Sequence, residues 1–439
     1  MKGLSKSTKF RWLLPGVRIK RYLFTIFLGI ALLTYGFVVV YLNVARSNLY
    51  SWRNIFLLNL AEKIPFGKFV IPIAGILFFV FAVSLIVVGI KELLSSISTA
   101  LVPDKDPKEI MDIVFGERKE GLKKRVVVIG GGTGTTSVLS GLRDKFVKIS
   151  AVITVADTGG SSGILRKELK MPPPGDIRNC LVALSEERSF ISRLLSFRFS
   201  GKGSFLDGHN LGNILIAGLT KMTGDFGDAV LSMSKILSIN GEVMPFTTED
   251  ITLCAEFEDG NVVRGEIEIT NYHGKIKRIF IEPESAKPYI RALERISQAD
   301  VIVIGPGSLY TSVVPPLLLP SIADTVRRSR AKKVYVSNIM TEPGETDHFT
   351  AYDHIKIITD ILGENVVEYA LLNKMELSDT ATKKYMGAGA EVVKPNTDEI
   401  QKMKIKCIVK NFTLERGDVV RHNPEKLAET ITDIMAGRV

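Results

Sequence analysis

The stretch Arg125–Gly141, RVVVIGGGTGTTSVLSG, constrains this chain more than any other. Val126 to Ile129 is a β-branched run of the kind that fills a strand buried on both faces. It empties into Gly130, Gly131, Gly132, Thr133 and Gly134. After Thr135 and Thr136, the spacing of Val138, Leu139 and Leu142 predicts a helix. Strand, glycine-rich turn and helix bring bare backbone N–H groups and a helix N-terminus to one point, which suits a phosphate. Neither standard phosphate-loop pattern is met. The P-loop needs Lys and then Ser or Thr where Thr135-Thr136 stands, and the third glycine of GxGxxG falls on Thr135. A tight turn without a ligand is the plainer alternative, and five small residues in succession argue against it.

Charge divides the chain. The net +10 resembles a nucleic-acid footprint, yet residues 1–125 hold 19 Lys+Arg against 8 Asp+Glu, leaving 38 against 39 in residues 126–439. The large domain is neutral, so nucleic acid is set aside as a charge-driven partner. Residues 22–42 and 69–90 carry no charge, and each is long enough for a hydrocarbon core of ~30 Å. Lys and Arg crowd residues 1–21, and Lys91, Lys105 and Lys108 follow the second run. The positive-inside rule then puts both flanks in the cytoplasm. The expectation is a membrane hairpin over 22–90 with two spans, in the cell (cytoplasmic) membrane, and a cytoplasmic soluble domain. A charged linker over 91–124 would join it to a domain over 125–439. Three widely separated cysteines, Cys180, Cys254 and Cys407, have no metal-ligand spacing and suit a reducing compartment.

Within the large domain a second strand, Ile149 to Ala156, ends at Asp157 and a second small-residue run, Thr158-Gly159-Gly160-Ser161-Ser162-Gly163. Asp157 suits a ribose hydroxyl, or Mg²⁺ beside a phosphate-holding turn. As an N-cap it would need no ligand. MPPPGDIRNC approaches in extended form and opens a helix at Gly175-Asp176, putting Arg178 in its first turn. A cation there is uncomfortable without an anion, so Asp176 and Arg178 are read as ligand-facing. His209, Asn210 and Asn213 begin a buried helix, where amides can read a base or sugar. Residues 186–203 suit an amphipathic helix with a basic face better than an RNA surface. From 243 to 281 the period drops to two, predicting an inserted antiparallel module whose second strand runs through Ile267 and Ile269. Parallel strands then resume at Asp300–Ile304, Val334–Val336 and Val366–Leu372. The first ends in Gly305-Pro306-Gly307-Ser308-Leu309-Tyr310-Thr311. Polar loops recur at the C-terminal ends of strands, where open α/β sheets bind ligands. The fold expected is a Rossmann-like, doubly wound α/β domain with a mostly parallel sheet.

GGGTG, ADTGGSSG, PPGDIRNCLVAL, GHNLGN, TGDF, GPGSLYTS and NIMTEPGET occur together and in order across residues 125–375. This series resembles the YvcK group of gluconeogenesis factors in the CofD-like superfamily. The resemblance implies a UDP-sugar ligand such as UDP-N-acetylglucosamine and a role in cell shape. Through the more distant CofD enzymes it implies a Mg²⁺-dependent transferase of 2-phospholactate groups. The binding set would be Gly131 to Thr135, Asp157, Gly160, Ser161, Ser162, Asp176, Arg178, Asn210, Asn213, Gly305, Gly307, Ser308, Tyr310 and Thr311. Asp157 would be the metal ligand if one binds. For catalysis the candidates are Asp157, Arg178 and His209, and no nucleophile–base pair stands out; His348 enters by residue type alone. The chain departs from ADDGGSSG at Thr158 and from GHSLGN at Asn210, and the first change weakens the case for a metal. A nucleotide-sugar regulator without turnover and a transferase stay open, as does a homo-oligomeric state.

Overall fold

The computed structural model describes residues 19–44, 67–101, 123–185, 190–201, 204, 206–374, 377–417 and 419–439. They form two compact units, Met1–Leu122 and Lys123–Val439.

The first unit consists, among the described residues, of antiparallel helices Ile19–Val44 and Gly67–Leu101. Glycine sets their approach. A Cβ on Gly29 would lie 2.7 Å from Ile86 Cγ1, and one on Gly89 the same distance from Ile26 Cγ1, a small-residue contact familiar between membrane helices. The segment Ile76–Leu93, mean hydropathy 2.4, is long and apolar enough to cross a membrane by length and composition. Among the described residues it is one such segment, against the two spans expected from the sequence; in the first helix the described apolar part covers Arg21–Gly36. The second helix also runs on to Leu101, inside the expected linker. The N-terminal 18 residues, the loop between the helices and residues 102–122 lie outside the described residues.

In the second unit the β-branched runs do become a sheet buried on both faces. Its seven strands lie in the order β10-β9-β8-β7-β1-β2-β3. They are β1 Lys124–Gly130, β2 Val147–Ile153, β3 Glu242–Pro245, β7 Val301–Ile304, β8 Lys332–Val336, β9 Tyr369–Asn373 and β10 Lys406–Lys410. Every pairing among them is parallel. Val126–Ile129 are at most 1% exposed, as helices on both faces require. The helix Gly132–Arg143 turns Thr135, Val138, Leu139 and Leu142 inward, the spacing of one helical face. Gly141 on its other side admits the Pro424 carbonyl of the C-terminal helix Pro424–Ala436, where a Cβ would collide. From β1 the chain first builds outward through β2 and β3, then returns to add β7, β8, β9 and β10 on the other side. The carboxyl ends of β1 and β7 therefore flank a topological switch point, the place where such sheets bind ligands.

Two expectations are corrected. Val243 belongs to β3 at the edge of the main sheet, so the antiparallel module is confined to β4 Thr252–Phe257, β5 Val262–Arg264 and β6 Ile276–Glu282. The run through Ile267 and Ile269 is a helix, Glu266–Tyr272. Gly265 takes φ +103°, which ends the strand, and Thr158 Oγ1 accepts the Ile267 N–H at 3.3 Å in the new helix's first turn. Period two was fortuitous there: Ile269 is buried and Ile267 is 43% exposed. The remaining described strands, β11 Thr413–Arg416 and β12 Val419–His422, pair as a hairpin.

Candidate functional site

The first glycine turn is shaped by what its neighbours leave no room for. Gly131 is extended, and a Cβ there would strike Thr154 and lie 2.7 Å from Asp176 Oδ2. Gly132 takes φ +64°, and its N–H donates to the Asp176 carboxylate. A Cβ on Gly134 would lie 2.6 Å from the Pro306 carbonyl oxygen, so the β1 and β7 turns press together at the switch point. Thr135 holds that seam closed. Its buried hydroxyl lies 3.0 Å from Gly131 O and 3.2 Å from Pro306 O, which ties it to the backbone rather than to a ligand. Gly305 has φ +78° and precedes a cis proline, and Gly307 N–H donates to Asn338 Oδ1 at 3.2 Å. Tyr310 and Thr311 lie in a buried π turn, Leu309–Val313, with Thr311 Oγ1 donating to Glu345. Gly305, Tyr310 and Thr311 therefore support the turn from behind, and Thr133, Gly307 and Ser308 remain at its accessible side.

Beyond Asp176 a cavity of about 260 Å³ opens. Asp157, Gly160, Ser161, Ser162, Arg178 and Asn213 line it, joined by Gly175, Asn179 and Arg198. Each is held in place. Asp157 Oδ1 accepts the Gly159 N–H at 2.7 Å, and Gly175 lets Asp157 and Ser162 approach, since a Cβ would lie 2.8 Å from Asp157 Oδ2. Asn210 caps the helix Leu211–Thr223 by accepting the Asn213 N–H. Ser161 Oγ accepts from Asn210 N–H at 3.2 Å and Asn213 Nδ2 at 3.3 Å, and lies 3.2 Å from His209 Nδ1. Arg178 donates to Asn213 Oδ1 at 3.1 Å and Asn179 Oδ1 at 2.6 Å. His209 thus joins the site, while His348 lies apart on an exposed turn beside Glu391.

Electrostatics set this region apart. Arg178 forms no ion pair among the described residues, and burial together with Arg198 makes it easier to deprotonate than usual. Around it gather carboxyls that are hard to ionise. Burial first, then the charge of Asp157, pushes Asp176 to about 6. The same causes push Glu266 to about 8, with Asp176 and Glu345 adding to the repulsion. Glu345 rises to about 7 by burial, offset by hydrogen bonds from Thr270 and Thr311. Two buried oxygens, Thr154 Oγ1 and Glu345 Oε2, have no hydrogen-bond partner among the described residues. Among the described residues no three His, Cys, Asp or Glu side chains cluster closely enough to hold a metal ion. Mg²⁺ at Asp157 would therefore have to share its coordination with ligand phosphates or water. The arrangement can take a ligand carrying several negative charges at one end and hydrogen-bonding groups at the other.

Sequence reading missed Arg198, Asn179, Glu266 and Glu345. Arg198 stood in a stretch of solvated basic residues, and Glu266 in a stretch read as strand. A charged residue just after a strand-ending glycine was the signal available for Glu266. Glu345 lies inside NIMTEPGET, where nothing local separates it from Glu342.

Comparison with known proteins gives the family. The family model "2-phospho-L-lactate transferase CofD" matches residues 126–413. The gluconeogenesis factor of Halalkalibacterium halodurans is 48% identical over 311 residues, covering 71% of this chain and 96% of that protein. The gluconeogenesis factor of Bacillus subtilis is 44% identical over 315 residues, covering 72% and 99%. A Clostridium acetobutylicum relative is 35% identical over 427 residues, 96% of this chain and 91% of its own. A crystal structure of a Bacillus halodurans protein, 48% identical, covers 70% of this chain and 99% of that one with a TM-score of 0.69. With the glycine turns, the switch point and these matches together, the chain belongs to the CofD family, among its gluconeogenesis factors.

Proposed function

We propose that this protein is a membrane-anchored regulator that binds a nucleotide sugar of the UDP-N-acetylglucosamine type through residues 131–213 and the β7 turn. The observation that carries the reading is an arginine pair, Arg178 and Arg198, lining one cavity with Asn213 and the Gly160–Ser162 turn. Arginines and free backbone N–H groups suit a diphosphate, and buried amides suit a sugar or base edge. Anchoring rests on the uncharged runs at 22–42 and 69–90; the role in gluconeogenic growth rests on the homologues. Calorimetric titration of residues 123–439 with UDP-N-acetylglucosamine, UDP and GDP, with and without Mg²⁺, tests it. The expected result is metal-independent binding of the uridine sugar, lost in Asp157→Ala and in Asn213→Ala. Absence of binding by the folded domain sinks the reading.

A second reading, a Mg²⁺-dependent transferase of phosphorus-containing groups, is favoured by one contact, Ser161 Oγ to His209 Nδ1 at 3.2 Å. In that case Asp157 would hold Mg²⁺, Arg178 would face charge developing on the phosphates, and His209 would hold a proton. A preference for GDP that requires Mg²⁺, or consumption of the nucleotide sugar, would select it.

A further inference from the structure

We propose that the edge of the sheet opposite the candidate site docks onto the phosphate headgroups of an anionic membrane. The proposal rests on the reading of the chain as membrane-anchored.

In a parallel sheet all strands start on one edge. Strands of this length set that edge roughly 20 Å from the ligand edge. At the starts of β1 and β7 a groove of about 540 Å³ opens, lined by Arg125, Asp300, Arg328 and Arg330. Asp300 engages Arg125 alone among these arginines, accepting its N–H at 2.7 Å and lying 3.6 Å from its guanidinium. Arg328 and Arg330 have no ion-pair partner among the described residues. The turn that carries them is fixed. Ser329 Oγ donates to Ile296 O at 3.1 Å and accepts the Ala331 N–H at 3.2 Å. Beneath it Lys333, 7% exposed, donates to Ser329 O, so a buried cation backs the groove. Three arginines face one acid.

The same edge carries an exposed aromatic residue. Phe146, just ahead of β2, is 57% exposed with Lys123 lying 5.5 Å from its ring centre. In the neighbouring register pair Lys148 stands opposite Arg125. Basic side chains around an exposed aromatic ring are the pattern of a membrane interface. A free anion accounts for the arginines but gives Phe146 nothing to do. The chain itself supplies the last argument. It enters the domain at Lys123, on this edge, 30 residues beyond Leu93, the end of the segment long and apolar enough to cross a membrane. Docking there leaves the ligand cavity open to the cytoplasm.

Residues 123–439 form one compact unit and serve for the test. Co-sedimentation with vesicles of equal parts phosphatidylglycerol and phosphatidylcholine is compared with phosphatidylcholine alone. At about 1 kcal/mol per basic residue, Arg328→Glu/Arg330→Glu should weaken binding to the anionic vesicles by at least about tenfold. Phe146→Ser should weaken it as well, and salt should reverse it. Should the double variant fail to fold, Phe146→Ser carries the test, read against an unchanged melting temperature. The proposal is overturned by equal sedimentation of wild type and variants, or by sedimentation of neither. It is equally overturned if inorganic phosphate or a DNA duplex binds this edge, by the same variants, while vesicles do not. Carbonate extraction of membranes holding the full chain tests the anchor separately.

Discussion

Arg178→Met is expected to weaken nucleotide binding by about 100-fold or more while leaving the unliganded domain as stable as before, or more so. The two effects share one cause. Arg178 sits in the first turn of the helix Gly175–Leu184, where the helix dipole disfavours a cation. Its guanidinium is largely buried, it hydrogen-bonds two neutral amides, and Arg198 lies near enough to depress its proton affinity. No carboxylate among the described residues is in ion-pair contact with it, and the favourable charges of Asp176 and Asp157 are outweighed by burial and Arg198. A buried charge held this way costs stability in the free protein. It is retained because a phosphate completes it, through charge-assisted hydrogen bonds worth roughly 1.5–3 kcal/mol each. Methionine keeps much of the alkyl packing against Gly212, whose added Cβ would lie 2.9 Å from Arg178 Cδ. Calorimetry gives the affinity and a thermal melt gives the stability. An affinity within threefold of wild type, or a domain that loses stability on the substitution, would show that Arg178 is structural. Stability and function moving in opposite directions is the signature of a ligand-facing charge.

The sheet was legible because its strands are buried on both faces. Runs such as Val126–Ile129 and Val301–Ile304 can hardly be anything else at that length. β3 escaped because Glu242–Pro245 is short, lies at the sheet edge and ends in proline. The glycine turns were legible as turns, but which of their residues face a ligand depends on contacts far apart in sequence. Thr135 is tied by a carbonyl at Pro306, a partner that no local pattern could supply. Arg178 was legible because a cation in a helix's first turn breaks a local rule. Glu266 was hidden by an alternation that suits a strand as well as an amphipathic helix, until Gly265 with φ +103° decides between them. What sequence could not give is the convergence of four acids from four separate segments.

Burial of these acids, with their mutual repulsion added, makes the unliganded domain less stable in base. Asp176, Glu266 and Glu345 begin from ordinary values of 3.8, 4.5 and 4.5 and stand at about 6, 8 and 7 in the fold. Each binds its proton more tightly folded than unfolded. Their contribution is complete at pH values below their unfolded values and disappears as pH climbs through 6, 7 and 8. The buried imidazoles work in the other direction. His422 is pushed down to about 4 and His354 is also lowered, so both cost stability only as pH falls below about 6.5. Between pH 6.5 and 8.5 the acids dominate, joined toward the top of the range by the thiols of Cys180, Cys254 and Cys407, which burial makes harder to ionise in the fold. Unfolding free energy from denaturant titration should therefore fall by on the order of 2 kcal/mol. Glu266→Gln/Glu345→Gln should flatten the slope and be more stable than wild type at pH 8.5, because a neutral amide fills each site without the charge. A flat or rising wild-type profile, or an unchanged slope in the double variant, would mean that burial does not hold these carboxyls protonated in the fold. Divalent cations give the same acids a second readout. If Mg²⁺ binds at Asp157, it relieves the repulsion that raises Asp176 and Glu266. It should then raise the unfolding midpoint more at pH 8.5 than at pH 6.5, and lose that difference in Asp157→Asn.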